Sequence, residues 1–420
     1  MRGTITARWN VVTERPAARH APGQQAHSGH LYGIWILLVS CIVAWRQGSF
    51  YTGGMDPVVL IKAALQATAL FWAAAVCLNS PKRYPLGMRS LGFLMPILAV
   101  SMVGALASGN LSASAIIAVR VLMMALTVMF LMRAFPVQKM LLAMCLALSL
   151  VGLLSAGSGL VLSDGGRLSG GIPPLSPNEI ALLAGLPGLF LLHEGLRARI
   201  RWFHGIALAV LCGVLVLSES RTALIGAACA VGLLLIFMRR IPMSIIVTVL
   251  LVLPVVFYTV FLTPMVQNFM SRDDSASVLT LNSRTISWSV VLNLPWDSWE
   301  RWFGEGLSMK TIAVQGQYWD EQVFDSSWIS LLAQTGVIGT GIAMLWVLAC
   351  VLSAVRSRKV RSIYLGLLMF VLIRSIMENG LIDAGVMFLV FFTLSLSLEA
   401  PSLGSSPDWN TTSPLKPRSP

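Results

Sequence analysis

The sequence predicts an all-α integral membrane protein with about twelve helices crossing the bilayer and one large extracytoplasmic loop. Three observations carry this. First, 56% of the residues are hydrophobic and only 11% are charged, whereas a soluble domain carries about 25% charged residues. Second, the apolar residues come in blocks rather than at helical or strand periodicity. Bilayer crossing demands such blocks, because each span must satisfy its own backbone where water is absent. Third, the basic residues fall in short runs between the blocks. That is a topology signal, so the net charge of +12 does not point to a nucleic-acid partner.

In chain order, residues 1–30 form a basic tail with Arg2, Arg8, Arg15 and Arg19. Nine blocks fill residues 31–262, at 31–45, 57–78, 88–107, 113–132, 140–162, 178–193, 203–218, 222–238 and 243–262. Residues 263–327 form the large loop, and three further blocks follow in 328–398, at 328–355, 363–377 and 381–398. Residues 399–420, rich in Ser and Pro, read as a disordered tail. The first and sixth blocks are shorter than the roughly 20 residues a straight span needs, and the sixth holds Pro187. Charge decides that they cross. The connections after the second, fourth, sixth, eighth and tenth blocks carry Lys82, Arg83 and Arg89; Arg133 and Lys139; Arg197, Arg199 and Arg201; Arg239 and Arg240; and Arg356, Arg358, Lys359 and Arg361. Every second connection is basic, as the positive-inside rule requires, so both termini are expected in the cytoplasm. No small-residue cleavage site follows the first block, which reads as an uncleaved span. All six cysteines lie in apolar blocks and read as buried thiols rather than a disulfide framework.

The loop holds eight of the eighteen acids: Asp273, Asp274, Asp297, Glu300, Glu305, Asp320, Glu321 and Asp325. It also holds Trp288, Trp296, Trp299, Trp302 and Trp319. Apolar pairs such as Val290/Val291 and the Trp-rich stretch predict amphipathic helices lying on the membrane or capping the bundle. The rings serve either as an interfacial belt or as a surface for carbohydrate, whose C–H faces stack on aromatics. Lys62, Arg120, Arg221 and Arg374 lie in or at the edges of apolar blocks, all toward the outer end under this topology. They either snorkel to headgroups or hold an anion at the outer leaflet. Glu378, one turn from Arg374, offers that arginine an ion-pair partner.

Several runs resemble the O-antigen ligase and Wzy-type O-antigen polymerase superfamily. They are Ser220-Arg221-Thr222-Ala223, Asn282-Ser283-Arg284-Thr285-Ile286-Ser287-Trp288, Phe303-Gly304-Glu305-Gly306-Leu307, and the stretch from Asp325 through Trp328 and Leu331 to Gly336-Val337-Ile338-Gly339. Arg167-Leu168-Ser169-Gly170 followed by Ser176-Pro177-Asn178 is similar to a segment that precedes a span in these proteins. The resemblance implies a GT-C-like glycosyltransferase at the outer face of the cytoplasmic membrane. Its partners would be a polyprenyl-pyrophosphate-linked glycan donor, a glycan acceptor and membrane lipid. Arg221 and Arg284 match the two arginines that engage the donor pyrophosphate, with Arg120, Arg374, Glu378 and Trp288 as supporting residues. Fixed guanidinium groups stabilise such a leaving group bidentately, so the reading calls for no cofactor or metal. Asp325 stands where the ligases carry a His before the next span. It is read as the catalytic carboxylate that takes the acceptor proton or orients the hydroxyl, against a plain role as helix cap.

These features favour a membrane glycosyltransferase, with a Wzy-like polymerase preferred to a ligase. The competing class is a polytopic transporter or lipid-linked glycan flippase, which should show two similar halves and polar sites at the midplane. Because basic connections alternate without exception, a cysteine probe at Ser277 should react with an impermeant reagent from outside, and one at Ala198 should not. The reverse pattern would invalidate the outer-face placement of every residue named above.

Overall fold

The computed structural model describes residues 28–46, 56–81, 83–162, 167–197, 202–238, 287–313 and 321–399. The expected ninth span, Arg284, the pair Asp273/Asp274, Trp319 and most of both tails (1–27 and 400–420) lie outside these residues. Among the described residues the chain is a helical bundle: α1 (Ser28–Ile42), α2 (Pro57–Asn79), α3 (Arg89–Ala107), α4 (Leu111–Ala134), α5 (Val137–Leu162), α6 (Pro177–Arg197), α7 (Trp202–Leu217), α8 (Arg221–Phe237), the short α9 (Trp299–Phe303), α10 (Ser327–Arg356), α11 (Arg361–Met377) and α12 (Val386–Glu399). Six of them, α2 to α6 and α10, are long and apolar enough to cross a membrane. Helices α1, α7, α8 and α12 are apolar but have 15, 16, 17 and 14 residues. The described residues are thus mostly helical, with six candidate spans, as in a multi-pass membrane protein.

Local chemistry starts the spans near the expected places. Asp56 caps α2 by accepting the Val58 N–H at 2.9 Å, with Pro57 at the first helical position. Helix α6 runs its full 21 residues through Pro187. A reciprocal capping box starts it: Glu179 accepts the Ser176 N–H at 2.9 Å, and Ser176 Oγ accepts the Glu179 N–H at 3.2 Å. Large apolar side chains such as Phe71, Leu78 and Ile236 face outward, as a lipid-facing surface permits. Cys212 and Cys229 are exposed too, so only four of the six thiols are buried, and all six are unbridged.

The largest departure is at the twelfth block. Helix α12 starts at Val386 rather than at 381, and residues 378–385 are irregular. Gly380, at φ 121°, sits in this stretch with Glu378, Asn379 and Asp383, whose polar side chains line a cavity instead of packing in a span. The remaining half-length helix is the centre of the bundle. Every residue from 386 to 398 is buried, with α3, α4, α10 and α11 around it. Trp346 of α10 stacks edge-on against Phe391 at 4.9 Å and donates from Nε1 to Ser395 Oγ at 2.8 Å. At the far end Glu399 accepts the Arg89 and Ser90 N–H groups at 2.9 and 2.8 Å, so α12 caps α3.

The loop is partly built into the bundle. Residues 287–292 and α9 are helical, as expected, with Val291 buried and Val290 exposed. An unforeseen antiparallel ribbon pairs β1 (Thr311–Ala313) with β2 (Glu321–Val323). The turn after α9 docks where α10 bends. Gly336 has non-helical angles (φ 61°, ψ −168°), and a side chain there would overlap the Trp302 backbone. Gly304 (φ 72°) lies against the Gln334 and Thr335 backbone, and the Glu305 and Gly306 N–H groups bond the Ala333 and Gln334 carbonyls at 2.9 and 3.0 Å. Glu305 is left half-buried, and burial, with Glu300 nearby, pushes its carboxyl upward.

The φ/ψ region of Gly336 is essentially closed to other residues and costs them about 1–3 kcal/mol, before any overlap with Trp302. Gly336→Ala should therefore lower the thermal midpoint and expose 299–313 to protease. Gly341→Ala, with open space around it, should do neither.

Candidate functional site

The site forms where six chain segments end on the same side of the bundle. Helix α1 arrives there with Ala44–Arg46 beyond it, α2, α4 and α6 begin there, α11 ends there, and 378–385 crosses beneath. A cavity of about 340 Å³ results, lined by five basic side chains (Arg46, Lys62, Arg120, Lys310, Arg374) and four acidic ones (Asp56, Glu179, Glu378, Asp383). Three of the four cations singled out in the apolar blocks thus share one cavity.

Each is held by its own span. Lys62 donates from Nζ to the Val43 carbonyl at 2.9 Å. One turn on, the fully buried Gln66 donates to the Arg120 carbonyl at 2.7 Å, while Arg120 Nε donates to Gln66 Oε1 at 3.4 Å. This pair joins α2 to α4 and aims the Arg120 guanidinium at the cavity. Helix α4 starts two residues before the expected block, so Arg120 lies about 14 Å along its axis. Arg374, 2% exposed, donates from Nη2 to the Asn178 carbonyl at 2.8 Å. Its Nε and Nη1 are buried with no hydrogen-bond partner. Glu378 is not a helical neighbour: α11 stops at Met377, and Glu378 is the extended cap residue. It still lines the same cavity as Arg374.

Sequence reasoning missed Lys310, Asp383 and Glu179. Lys310, 9% exposed, reaches in from the loop and donates to Asp383 Oδ2 at 2.7 Å. Its backbone carbonyl accepts the Phe324 N–H across the base of the ribbon. No apolar block flags a lysine in a loop, so no sequence signal marked it. Glu179 was signalled by the Ser176-Pro177-Asn178-Glu179 spacing of a capping box. The N-terminus of α12 adds Val386 and Met387 to the lining. First-turn N–H groups lack intrahelical partners and carry partial positive charge, which favours an anion.

The other expected site residues lie apart. Arg221 is exposed at the start of α8 and does not line the cavity. Neighbouring Ser218 accepts from Arg167 Nε at 2.8 Å, and Arg167 Nη2 donates to Asn178 Oδ1 at 2.6 Å. Asn178 therefore links the Arg167 segment to Arg374. Asp325 is half-buried and does not line the cavity; the N-cap of α10 is Ser326, so Asp325 is not that cap. Two residues on, the Ser327 N–H and Oγ both donate to the Glu378 carbonyl, at 3.1 and 2.6 Å. Trp288 belongs to a satellite cluster with Val291, Phe324 and Ile329 rather than to the cavity, and its Nε1 is buried without a partner.

Residues 206–344 match the Wzy_C family, described as O-antigen ligase. No curated protein matches the chain. The matched stretch contains Arg221, Arg284, Lys310 and Asp325, while Lys62, Arg120, Arg374 and Asp383 lie outside it.

A guanidinium buried with two unbonded N–H groups favours a polyanion. Inorganic pyrophosphate should raise the thermal midpoint of the wild type, by about 2.7 kcal/mol of stability at a hundredfold excess over its dissociation constant. Arg374→Met should remove that response without lowering the midpoint in anion-free buffer. An equal response in both proteins would exclude Arg374 from anion binding.

Proposed function

We propose that this chain, a member of the O-antigen ligase and Wzy-type polymerase superfamily, joins polyprenyl-pyrophosphate-linked glycans at the outer face of the cytoplasmic membrane, as a polymerase rather than a ligase. The observation that carries the reading is the cavity cluster of Lys62, Arg120 and Arg374 around the N-terminus of α12. Glycosyl transfer from such a donor leaves a pyrophosphate, and stabilising that charge is the main electrostatic task of the reaction. Preformed cations in a partly dehydrated cavity do this without reorganisation. Arg374 supplies two N–H groups ready to bond phosphate oxygens. Arg221 and Arg284, matched by resemblance to the donor-engaging arginines, engage the donor in this reading. Trp288 braces the loop through its packing with Val291 and Phe324.

Asp325 sits on the acceptor side in this reading. It is half-buried, two residues before Ser327, which bonds the lining residue Glu378, and from there its carboxylate orients a sugar hydroxyl without facing the pyrophosphate. A transporter or flippase fits less well, because the spans that line the cavity (α1, α2, α4, α6, α11 and α12) do so from the same side of the bundle. A path across the bundle would need polar groups from the middle of the spans.

Purified full-length chain in nanodiscs, given lipid-linked repeat units, should produce a ladder of lengthening products. A single transfer to a different acceptor would make it a ligase, and movement of the lipid without joining would make it a flippase. Arg374→Ala should reduce joining about 10²-fold or more. Lysine should restore little, because a point charge does not reproduce the guanidinium fork. Arg221→Lys and Arg284→Lys together should weaken donor use, and full activity there would remove them from the donor site. Asp325→Asn should raise the acceptor KM while leaving kcat within a few-fold.

A further inference from the structure

Four carboxylates face the cavity, and three have structural duties. Asp56 caps α2 and lies 3.6 Å from Arg46. Glu179 is half of the capping box of α6. Glu378 ends α11 and its carboxylate acts on the buried Arg374, while its backbone carbonyl is taken by Ser327. Asp383 caps no helix. It stands on the irregular segment 378–385 with its side chain 24% exposed, directly beneath the loop. Oδ2 accepts from Lys310 Nζ and Oδ1 from the Ala384 N–H, each at 2.7 Å. A carboxylate offers about four lone-pair sites, so two remain for a ligand. Lys310 and Arg120 face it from the loop and α4, with Lys62, Arg374, Glu179 and Glu378 on the other walls.

We infer that Asp383 is the general base of the transfer proposed above, taking the proton from the acceptor hydroxyl as that oxygen attacks the donor sugar. The inference rests on that transferase reading. In the step, the acceptor O–H bond breaks and its proton passes to an Asp383 oxygen. The acceptor oxygen bonds the anomeric carbon, whose bond to the pyrophosphate oxygen breaks with the electron pair. Polyprenyl pyrophosphate leaves as the anion, held by the cavity cations, and the proton on Asp383 passes to water when products depart. A carboxylate beside a pyrophosphate would ordinarily repel it. Lys310 removes that obstacle, because an ammonium has three donors and can bridge carboxylate and phosphate together. The loop thereby positions base and leaving group through one side chain, and the acceptor needs only to enter beside Asp383.

The test uses full-length wild type, Asp383→Asn and Asp383→Ala in nanodiscs. Binding of polyprenyl pyrophosphate and the rate of glycan joining are both measured. Asparagine keeps an acceptor for Lys310 and removes a negative charge from an anion site. Asp383→Asn should therefore bind polyprenyl pyrophosphate at least as tightly as wild type, yet join glycans about 10²–10⁴-fold more slowly. Added formate should restore part of the rate of Asp383→Ala, measured against its own baseline, which a misfolded protein would not allow. Joining within threefold of wild type in Asp383→Asn, or no formate rescue of Asp383→Ala, would overturn the inference while leaving the transferase reading intact. A wild type that neither binds polyprenyl pyrophosphate nor joins glycans would instead overturn that reading.

Discussion

The Ser327 hydroxyl donates to the Glu378 carbonyl at 2.6 Å and accepts the Leu381 N–H at 3.1 Å. One side chain thus satisfies two backbone groups of a segment that has left the helix. Inside a membrane protein an unsatisfied N–H or C=O costs several kcal/mol, so irregular backbone survives there only where protein or water supplies partners. Leu381 and Ile382 are buried beside this bridge, which anchors the segment from below. With 378–385 held open in this way, α12 begins five residues late and turns its N-terminus into the space it has vacated. The cavity, the exposure of Asp383 to Lys310 and the approach of Arg374 to that space all depend on this interruption.

The charge balance of the cavity explains how so many cations coexist near the end of a bundle. Five basic and four acidic groups leave a nominal excess of one positive charge. Two acids are already engaged with cations, Asp383 with Lys310 and Asp56 with Arg46. Glu179 also accepts a backbone N–H at the start of α6. The acids still act on the three cations of the spans: Glu179 and Asp56 on Lys62, Asp383 on Arg120, and Glu378 and Glu179 on Arg374. These cations are held by Val43, Gln66 and Asn178, neutral partners that fix position without cancelling charge. Such an arrangement favours a multivalent anion in fixed geometry over a monovalent one that a single cation could hold.

Much of this was legible in the sequence, and the limits have physical causes. Blocks of apolar residues announce helices because backbone satisfaction leaves no alternative, and eleven of the twelve expected blocks are helical among the described residues. Lys62, Arg120 and Arg374 stood out because a charge in an apolar block is expensive wherever it goes. Arg221 stood out by the same rule, yet it is exposed at a helix start and does not line the cavity. The rule detects cost and not direction. Composition misjudged the twelfth span because Leu381 and Ile382 are apolar and buried whether or not the backbone around them is helical. Lys310 was silent because polar residues in connections are the usual case; Asp383 fell inside the expected block 381–398, where its charge was a signal that went unread, and their 2.7 Å contact distinguishes both.

The matched family segment and the cavity overlap at few points, and the overlap has a consequence. The segment 206–344 supplies Lys310, Asp325 and the first half of α10, whereas α2, α4, α6, α11 and α12 lie outside it. Loop and bundle meet through close backbone contacts at Gly304 and Gly336 and through Ser308, which bonds Ser114 of α4 at 2.8 Å. These contacts have little room to slide, so the position of Lys310 over Asp383 is set by backbone rather than by side-chain choice. Under the proposed transfer, the anion end is built from buried spans that tolerate little change. The acceptor side is built from Asp325 and the neighbouring loop, where Trp296, Trp299 and Trp302 are exposed. A different acceptor can then be accommodated by rebuilding that side alone, provided the glycine junction that carries Lys310 is left intact.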